Sequence, residues 1–260
     1  MTRDQASSSG PIWSASALTG DPHQTADKAN RVKAMFAAIA GSYDRNNRLH
    51  SLGRDQAWRR RAAALASIGP ADRVLDVACG TGDLTEALAR EGPGEVIGVD
   101  FTEPMLELAR RKSADQRRPP GFPTPTYQLA DAMDLPFDDG VFDVVTIAFG
   151  IRNVADPGRA LLEFRRVLRR GGRVVVLEFG RPRGRLARFG SDLYCKRIMP
   201  VTATWIAHDR SGAYRYLPRS VATFPDGDAF ESLLAAAGFE TCRTHPMTLG
   251  IAVAYRGIAG

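Results

Sequence analysis

Two carboxylates and a glycine turn carry the most chemistry in this chain. Residues 73–82 read Arg-Val-Leu-Asp-Val-Ala-Cys-Gly-Thr-Gly, and a second apolar stretch, Glu95-Val96-Ile97-Gly98-Val99, ends in Asp100. Val74, Leu75, Val77 and Ala78 are apolar enough for a strand buried on both faces, and Gly80 and Gly82 permit a sharp turn into a helix beginning near Asp83. A backbone bare of side chains lets a ligand come close to the main chain. Asp100, ending the next strand, is then placed to accept hydrogen bonds from two ribose hydroxyls. Asp76, Gly80, Gly82 and Asp100 together predict a nucleoside site.

The nucleoside can be narrowed. A dinucleotide site needs Gly-x-Gly-x-x-Gly, with the pyrophosphate at the helix N-terminus, but the third glycine position is Thr85. The helix opens on Asp83, whose charge disfavours a phosphate and suits a cation. S-adenosyl-L-methionine has no phosphate and bears a sulfonium charge, so it fits, whereas a nicotinamide cofactor does not.

The elements that must hold this site alternate along the chain. Strands are expected at 73–78, 95–99, 126–130, 142–148 and 172–178, and helices at 83–90, 103–112 and 157–169, which means a parallel sheet covered on both faces. A helix at 226–237 and strands near 239–246 and 249–256 complete it. Before the sheet, Val32, Met35, Phe36, Ile39 and Ala40 share one helical face in an N-terminal helical region, 29–66, able to act as a lid. Residues 1–28 show no periodicity and read as a mobile tail ahead of one domain, 29–260. The Pro/Gly/Arg-rich stretch 113–125 reads as a surface loop, and 186–224 as a helical cap carrying Tyr194, Trp205, His208, Asp209, Tyr214, Tyr216 and Phe224.

Bulk properties exclude several classes. The 260 residues, 44% hydrophobic, suffice for one buried α/β domain. Four lysines and thirty-one arginines give a net charge of +6, but few aromatics interleave the clusters at Arg165, Arg166, Arg169 and Arg170 and at Arg181, Arg183, Arg185 and Arg188, so nucleic-acid binding is not indicated. Those clusters read as solvated surface or as a face drawn to anionic lipid. Cys79, Cys195 and Cys242 have no paired spacing, which argues for a reducing compartment and against a metal site. Cys79 is expected to pack, not to react. Neither a membrane span nor a signal peptide is legible, so a cytoplasmic protein is expected.

From about Met35 to Arg256 the chain resembles the ubiquinone/menaquinone biosynthesis C-methyltransferases. Carrying the resemblance are Phe36-x-x-Ile39-Ala40-x-x-Tyr43-Asp44-x-x-Asn47, Ser51-x-Gly53, Trp58-Arg59, the turn at 74–83, Phe149-Gly150-Ile151-Arg152-Asn153-Val154, Arg166-Val167-Leu168-Arg169-Arg170-Gly171-Gly172 and Leu177-Glu178-Phe179. Tyr214-x-Tyr216-Leu217-x-x-Ser220, Phe224-Pro225-Asp226 and Ala237-Gly238-Phe239 extend it. It implies a Rossmann-like class I S-adenosylmethionine-dependent methyltransferase fold: a seven-stranded, mostly parallel sheet with an antiparallel strand in its last hairpin. It also implies cofactor contacts at Thr81, Asp100, Asp131 and Ala132. Ala148 stands where many relatives carry serine, and His208 where asparagine commonly precedes the aspartate.

The implied reaction is C-methylation of a demethylated prenyl quinol, demethylmenaquinol first and a ubiquinone-pathway benzoquinol as its rival. Other small-molecule methylation and a non-catalytic subunit with the same fold stand further off. A ring carbon attacks well only when a ring hydroxyl gives up or shares its proton, so a base or a cation is needed beside that oxygen. Arg152, after the fourth strand, is placed to stabilise a phenolate, or else is a structural partner of Glu178. Asp209 and His208 are candidate proton acceptors, and Tyr43, Tyr194 and Tyr214 candidate contacts to the quinol ring. A prenyl tail calls for peripheral contact with a membrane surface, on the cytoplasmic face, for which residues 181–188 with Leu186 and Phe189 are the candidates. A homodimer is compatible with the sequence.

Overall fold

The computed structural model of the chain describes residues 11–14, 18–25, 27–182, 184 and 212–260. Seven strands form one sheet: β1 (Arg73–Val77), β2 (Glu95–Asp100), β3 (Thr126–Leu129), β4 (Phe142–Ala148), β5 (Leu168–Phe179), β6 (Phe239–Met247) and β7 (Ala252–Ala259). Their spatial order is β3-β2-β1-β4-β5-β7-β6. β1 to β5 run parallel, and β7 is antiparallel to both β5 and β6. The chain therefore leaves β1 in one direction to build β2 and β3 and in the other to build β4 and β5. Such a reversal opens a crevice at the carboxyl ends of the two central strands.

Strand alternation sorts the apolar residues into two layers. Leu75, Val77, Val145 and Ile147 face α5 (Pro157–Val167), with Phe230 and Leu234 of a later helix joining that layer, while Val74, Val96, Val144 and Leu177 face α2 (Arg54–Leu65) and α3 (Asp83–Ala89). α4 (Glu103–Asp115) follows β2. α1 (Lys28–His50) precedes the sheet and buries Val32, Met35 and Ile39 in a third cluster with Trp13 and Tyr216. α6 (Ala213–Thr223) and α7 (Asp228–Ala236) lead into the final hairpin.

Several boundaries differ from those expected. The α5 helix stops at Val167 and β5 begins at Leu168, four residues before the expected start at 172, because the register between β4 and β5 shifts and pairs Phe142 with Leu168. β7 starts at Ala252 instead of 249, since Thr248–Gly250 forms a 3-10 turn. Residues placed by composition in a mobile tail are packed: Trp13 is 0% and Leu18 6% exposed. One buried aromatic produces no periodicity, so the composition hid it. Of the cap at 186–224, α6 and the residues after it are described; Tyr194, Trp205, His208 and Asp209 lie outside the described residues, as do Arg183, Arg185, Leu186, Arg188 and Phe189.

The first arginine cluster pairs with local acids. Arg166 reaches Glu163 and Asp139 at 2.8 Å each, and Arg169 pairs with Asp143. No helix among the described residues is long and apolar enough to cross a membrane.

Candidate active site

At the carboxyl ends of β1, β2 and β4 lies a crevice open to solvent, with about 720 Å³ of space that includes the solvent at its mouth. Its floor is shaped by backbone that non-glycine residues rarely adopt. Ala78, just after β1, has φ +50°, and Phe149, just after β4, has φ +57°. Such strain persists only where surrounding packing enforces it, and it gathers at functional sites. Here Phe149 is held against Phe179, ring centroids 4.5 Å apart, and under the Arg59 guanidinium at 5.1 Å. A Cβ at Gly150 would stand 2.7 Å from that of Ala78, so only glycine lets the two turns meet.

Part of the crevice lining is acidic. Asp100 lines it at 6% exposure; Oδ2 accepts the Gly80 amide and Oδ1 the Thr102 amide, each at 2.9 Å. Burial pushes this carboxyl up, against the lowering effect of those amides. Asp131 and Ala132 line the crevice beyond β3, with Asp131 Oδ1 accepting the Met133 amide at 2.9 Å. Phe101 and Met105 form an apolar wall between them. Two carboxylates and no lysine or arginine line the crevice among the described residues. A cationic nucleoside suits that lining, and a pyrophosphate does not.

Three residues expected at the ligand lie behind the turn instead. Asp76 is 1% exposed and absent from the lining; its two oxygens accept the Thr85 hydroxyl at 2.6 Å and the Thr146 hydroxyl at 2.7 Å. Alternation along β1 explains this, since Asp76 shares the α3 side of the sheet with Val74. Burial lifts its pKa to about 6. Gly82 caps α3 at φ +82°, where a Cβ would lie 2.7 Å from the Tyr127 hydroxyl, so packing demands this glycine. Thr81 is also off the lining, with Oγ1 donating to Asp44 at 2.6 Å and accepting from Lys112 at 3.2 Å.

The expectation for Asp83 fails in the same region. Its carboxylate faces Lys112 at 2.6 Å, Arg48 at 3.2 Å and Gln56 at 2.9 Å, not the crevice. Burial pulls its pKa upward, but Arg59, Lys112 and Arg48 outweigh it and hold the group at about 2. The negative charge on the described lining comes from Asp100 and Asp131. Lys112 and Gln56 carry no local signal for this network, because Asp44, Gln56, Asp83 and Lys112 sit on four separate helices. The Tyr43-Asp44 pair was the one available signal.

The rest of the described lining is largely apolar and aromatic. Phe36 and Tyr43 line the crevice from α1, their rings 5.9 Å apart edge to face, and Asn153, Val154 and Ala155 line it from the turn after β4. Burial raises the Tyr43 hydroxyl pKa above the ordinary tyrosine value. Arg152 is not on the lining. It is 5% exposed, ion-paired with buried Glu178, and donates to the Phe149 carbonyl at 3.0 Å. Of Tyr214 the helical backbone alone is described. Cys79 is buried beneath the turn, which pushes its thiol well up and leaves it a packing residue.

A family model described as the ubiE/COQ5 methyltransferase family matches residues 24–259. The chain belongs to that family. It is 48% identical over 224 residues to a demethylmenaquinone methyltransferase of Thermus thermophilus, covering 86% of this chain and 99% of the relative. It is 42% identical over 233 residues to a ubiquinone/menaquinone biosynthesis C-methyltransferase UbiE of Geobacter sp. strain M21, covering 89% and 97%. Among solved structures, a SAM-dependent methyltransferase of Thermotoga maritima, a possible histamine N-methyltransferase by its title, superposes with TM-score 0.60 at 23% identity, over 88% of this chain and all of the other. That likeness supports the class I Rossmann-like fold. The ubiE/COQ5 match spans every element that lines the crevice, from α1 to the turn after β4.

Proposed function

We propose that the protein transfers a methyl group from S-adenosylmethionine to a ring carbon of a demethylated prenyl quinol, demethylmenaquinol in the first instance. The observation that carries this reading is a crevice lined by two carboxylates and by aromatic side chains, in a member of a family whose relatives are named for that reaction. Asp100 accepts from the ribose hydroxyls, and its bond to the Gly80 amide fixes that carboxylate against the turn. Asp131 accepts from the adenine amino group. When bound, the cofactor supplies a methyl carbon made electrophilic by the sulfonium.

The protein's part is alignment and charge. Phe36 and Tyr43 hold the quinol ring in line with the methyl carbon, which supplies much of the rate in such a transfer. Arg152 acts from behind the rim: paired with Glu178 and bonded to the Phe149 carbonyl, it fixes the strained turn and places positive charge behind the developing phenolate. His208 and Asp209 remain the proposed proton acceptors, and Tyr194 and Tyr214 proposed ring contacts. The prenyl tail brings the protein to a membrane surface as a peripheral enzyme, with the basic stretch 181–188 as the proposed contact.

The test is a methyl-transfer assay with purified protein, labelled S-adenosylmethionine and two acceptors in detergent, reduced demethylmenaquinone and the matching demethylated benzoquinol. Label on the naphthoquinol alone is the expected result. Label on the benzoquinol alone would move the assignment to the ubiquinone pathway.

A further inference from the structure

The family match begins at residue 24, yet the described residues before it, 11–14 and 18–23, pack into the fold. Trp13 is completely buried and stacked on Tyr216 of α6, ring centroids 4.4 Å apart and planes 24° apart. Arg31 of α1 lies 5.8 Å over the Trp13 ring and donates to the Ile12 carbonyl at 2.7 Å. Further along, Arg219 donates to the Thr19 carbonyl at 2.9 Å. A Cβ at Gly212 would come 2.4 Å from the Trp13 carbonyl oxygen, so α6 can start there only with glycine.

His23 closes the strap. Its Nε2 lies 2.9 Å from the Ser220 carbonyl, which can only accept, so that nitrogen carries the proton and Nδ1 accepts from Lys28 Nζ at 3.2 Å. Lys28 also donates to the Val154 carbonyl at 2.5 Å. The strap thus ties α1 to α6 and ends on the turn that walls the crevice.

From Trp13 a short chain of contacts leads to the site. The Tyr216 hydroxyl donates to Asn153 Oδ1 at 3.0 Å, and Asn153 Nδ2 donates to the Phe149 carbonyl at 3.1 Å. Asn153, Val154 and Ala155 line the crevice on the turn after β4, whereas Asp100 and Asp131 follow β2 and β3. We propose that Trp13 is a positioning residue for the acceptor side of the crevice: by stacking on Tyr216 it holds the Tyr216–Asn153 bond and, through it, residues 151–155. The identity of the acceptor rests on the reading above; the mechanical link does not.

The test uses the full chain with Trp13→Ala, Trp13→Phe and Tyr216→Phe. Amide hydrogen exchange at residues 151–155 should quicken in Trp13→Ala, and KM for demethylmenaquinol should rise about five-fold, the size of one lost aromatic pair. The dissociation constant for S-adenosylmethionine should stay within about two-fold, because its proposed contacts follow β2 and β3. Trp13→Phe keeps a stacking ring and should restore both readouts. Tyr216→Phe removes the bond to Asn153, together with the hydroxyl's contact to the Ser220 side chain, while keeping the ring under Trp13, and should reproduce the KM shift even where Trp13→Ala folds poorly. A tryptophan that merely stabilises the fold would lower the melting temperature and the active fraction while leaving KM unmoved. Unchanged exchange at 151–155, or faster exchange with an unchanged KM, overturns the proposal. A wild-type protein that transfers no methyl to the quinol overturns the substrate reading, and the exchange measurement still decides the link.

Discussion

The Asp100 carboxylate accepts the Gly80 amide at 2.9 Å, joining the end of β2 to the glycine turn after β1. The bond sets the one buried acidic group that lines the crevice among the described residues, and it leaves further lone pairs for hydroxyl donors. Asp100→Asn presents an amide N–H to one of two donors, either Gly80 or a ribose hydroxyl. Hydrogen bonds to charged groups contribute about 1.5–3 kcal/mol, so the dissociation constant for S-adenosylmethionine should rise roughly 10- to 100-fold. Calorimetry checks this; unchanged affinity in a folded variant removes Asp100 from the site.

Gly150→Ala should damage the floor of the crevice without touching its ligands. The added methyl would meet the Ala78 Cβ at 2.7 Å and the Ile147 side chain at 3.1 Å. Overpacking of this kind costs about 1–3 kcal/mol, and the strained turns at Ala78 and Phe149 must move apart. Urea unfolding should show the loss, together with weaker cofactor binding.

Removing Glu178 should cost far more than removing an exposed partner. Glu178→Ala leaves the Arg152 guanidinium buried without its counter-charge, a change that costs about 3–5 kcal/mol in buried pairs. Glu178→Gln keeps a hydrogen-bond acceptor and should fold better, but with kcat reduced because Arg152 and the Phe149 carbonyl are held less firmly. Equal kcat in Glu178→Gln and wild type would mean that the pair serves stability alone.

These relationships were unequally legible in the sequence. β1, β2, β4 and the turn between them are local patterns of apolar runs and glycines, and they appear where the periodicity puts them. Asp100 was legible because its place at a strand end is itself local. The roles of Asp76 and Asp83 were misread because nothing local says which way a side chain leaves the turn; Thr146, 70 residues away, and Lys112, 29 away, decide it. Trp13 was missed because a single stacked pair with Tyr216, 203 residues apart in sequence, has no period. Arg152 had two readings, and only the placement of Glu178 on β5 shows the ion pair.

Asp76 should also mark the pH dependence of stability. Its carboxyl titrates near 6 when folded against an ordinary value of 3.8, because burial disfavours the charge. The folded state therefore holds the proton more tightly, so this contribution is present in full below about pH 4 and is lost as pH rises through about 6. Urea midpoints of wild type and Asp76→Asn compared from pH 5 to 7.5 should converge or cross in the direction of declining wild-type advantage, by about 1.4 kcal/mol over that range. Parallel profiles would show that Asp76 is not the titrating group.

The most direct test of the account is methyl transfer to the reduced and the oxidised form of demethylmenaquinone, side by side, with labelled S-adenosylmethionine and mass analysis locating the label. Attack by a ring carbon requires the electron-rich quinol, so label should appear on a ring carbon of the reduced form and be absent from the oxidised form. Label on neither form while the cofactor binds, or equal label on both, would contradict it.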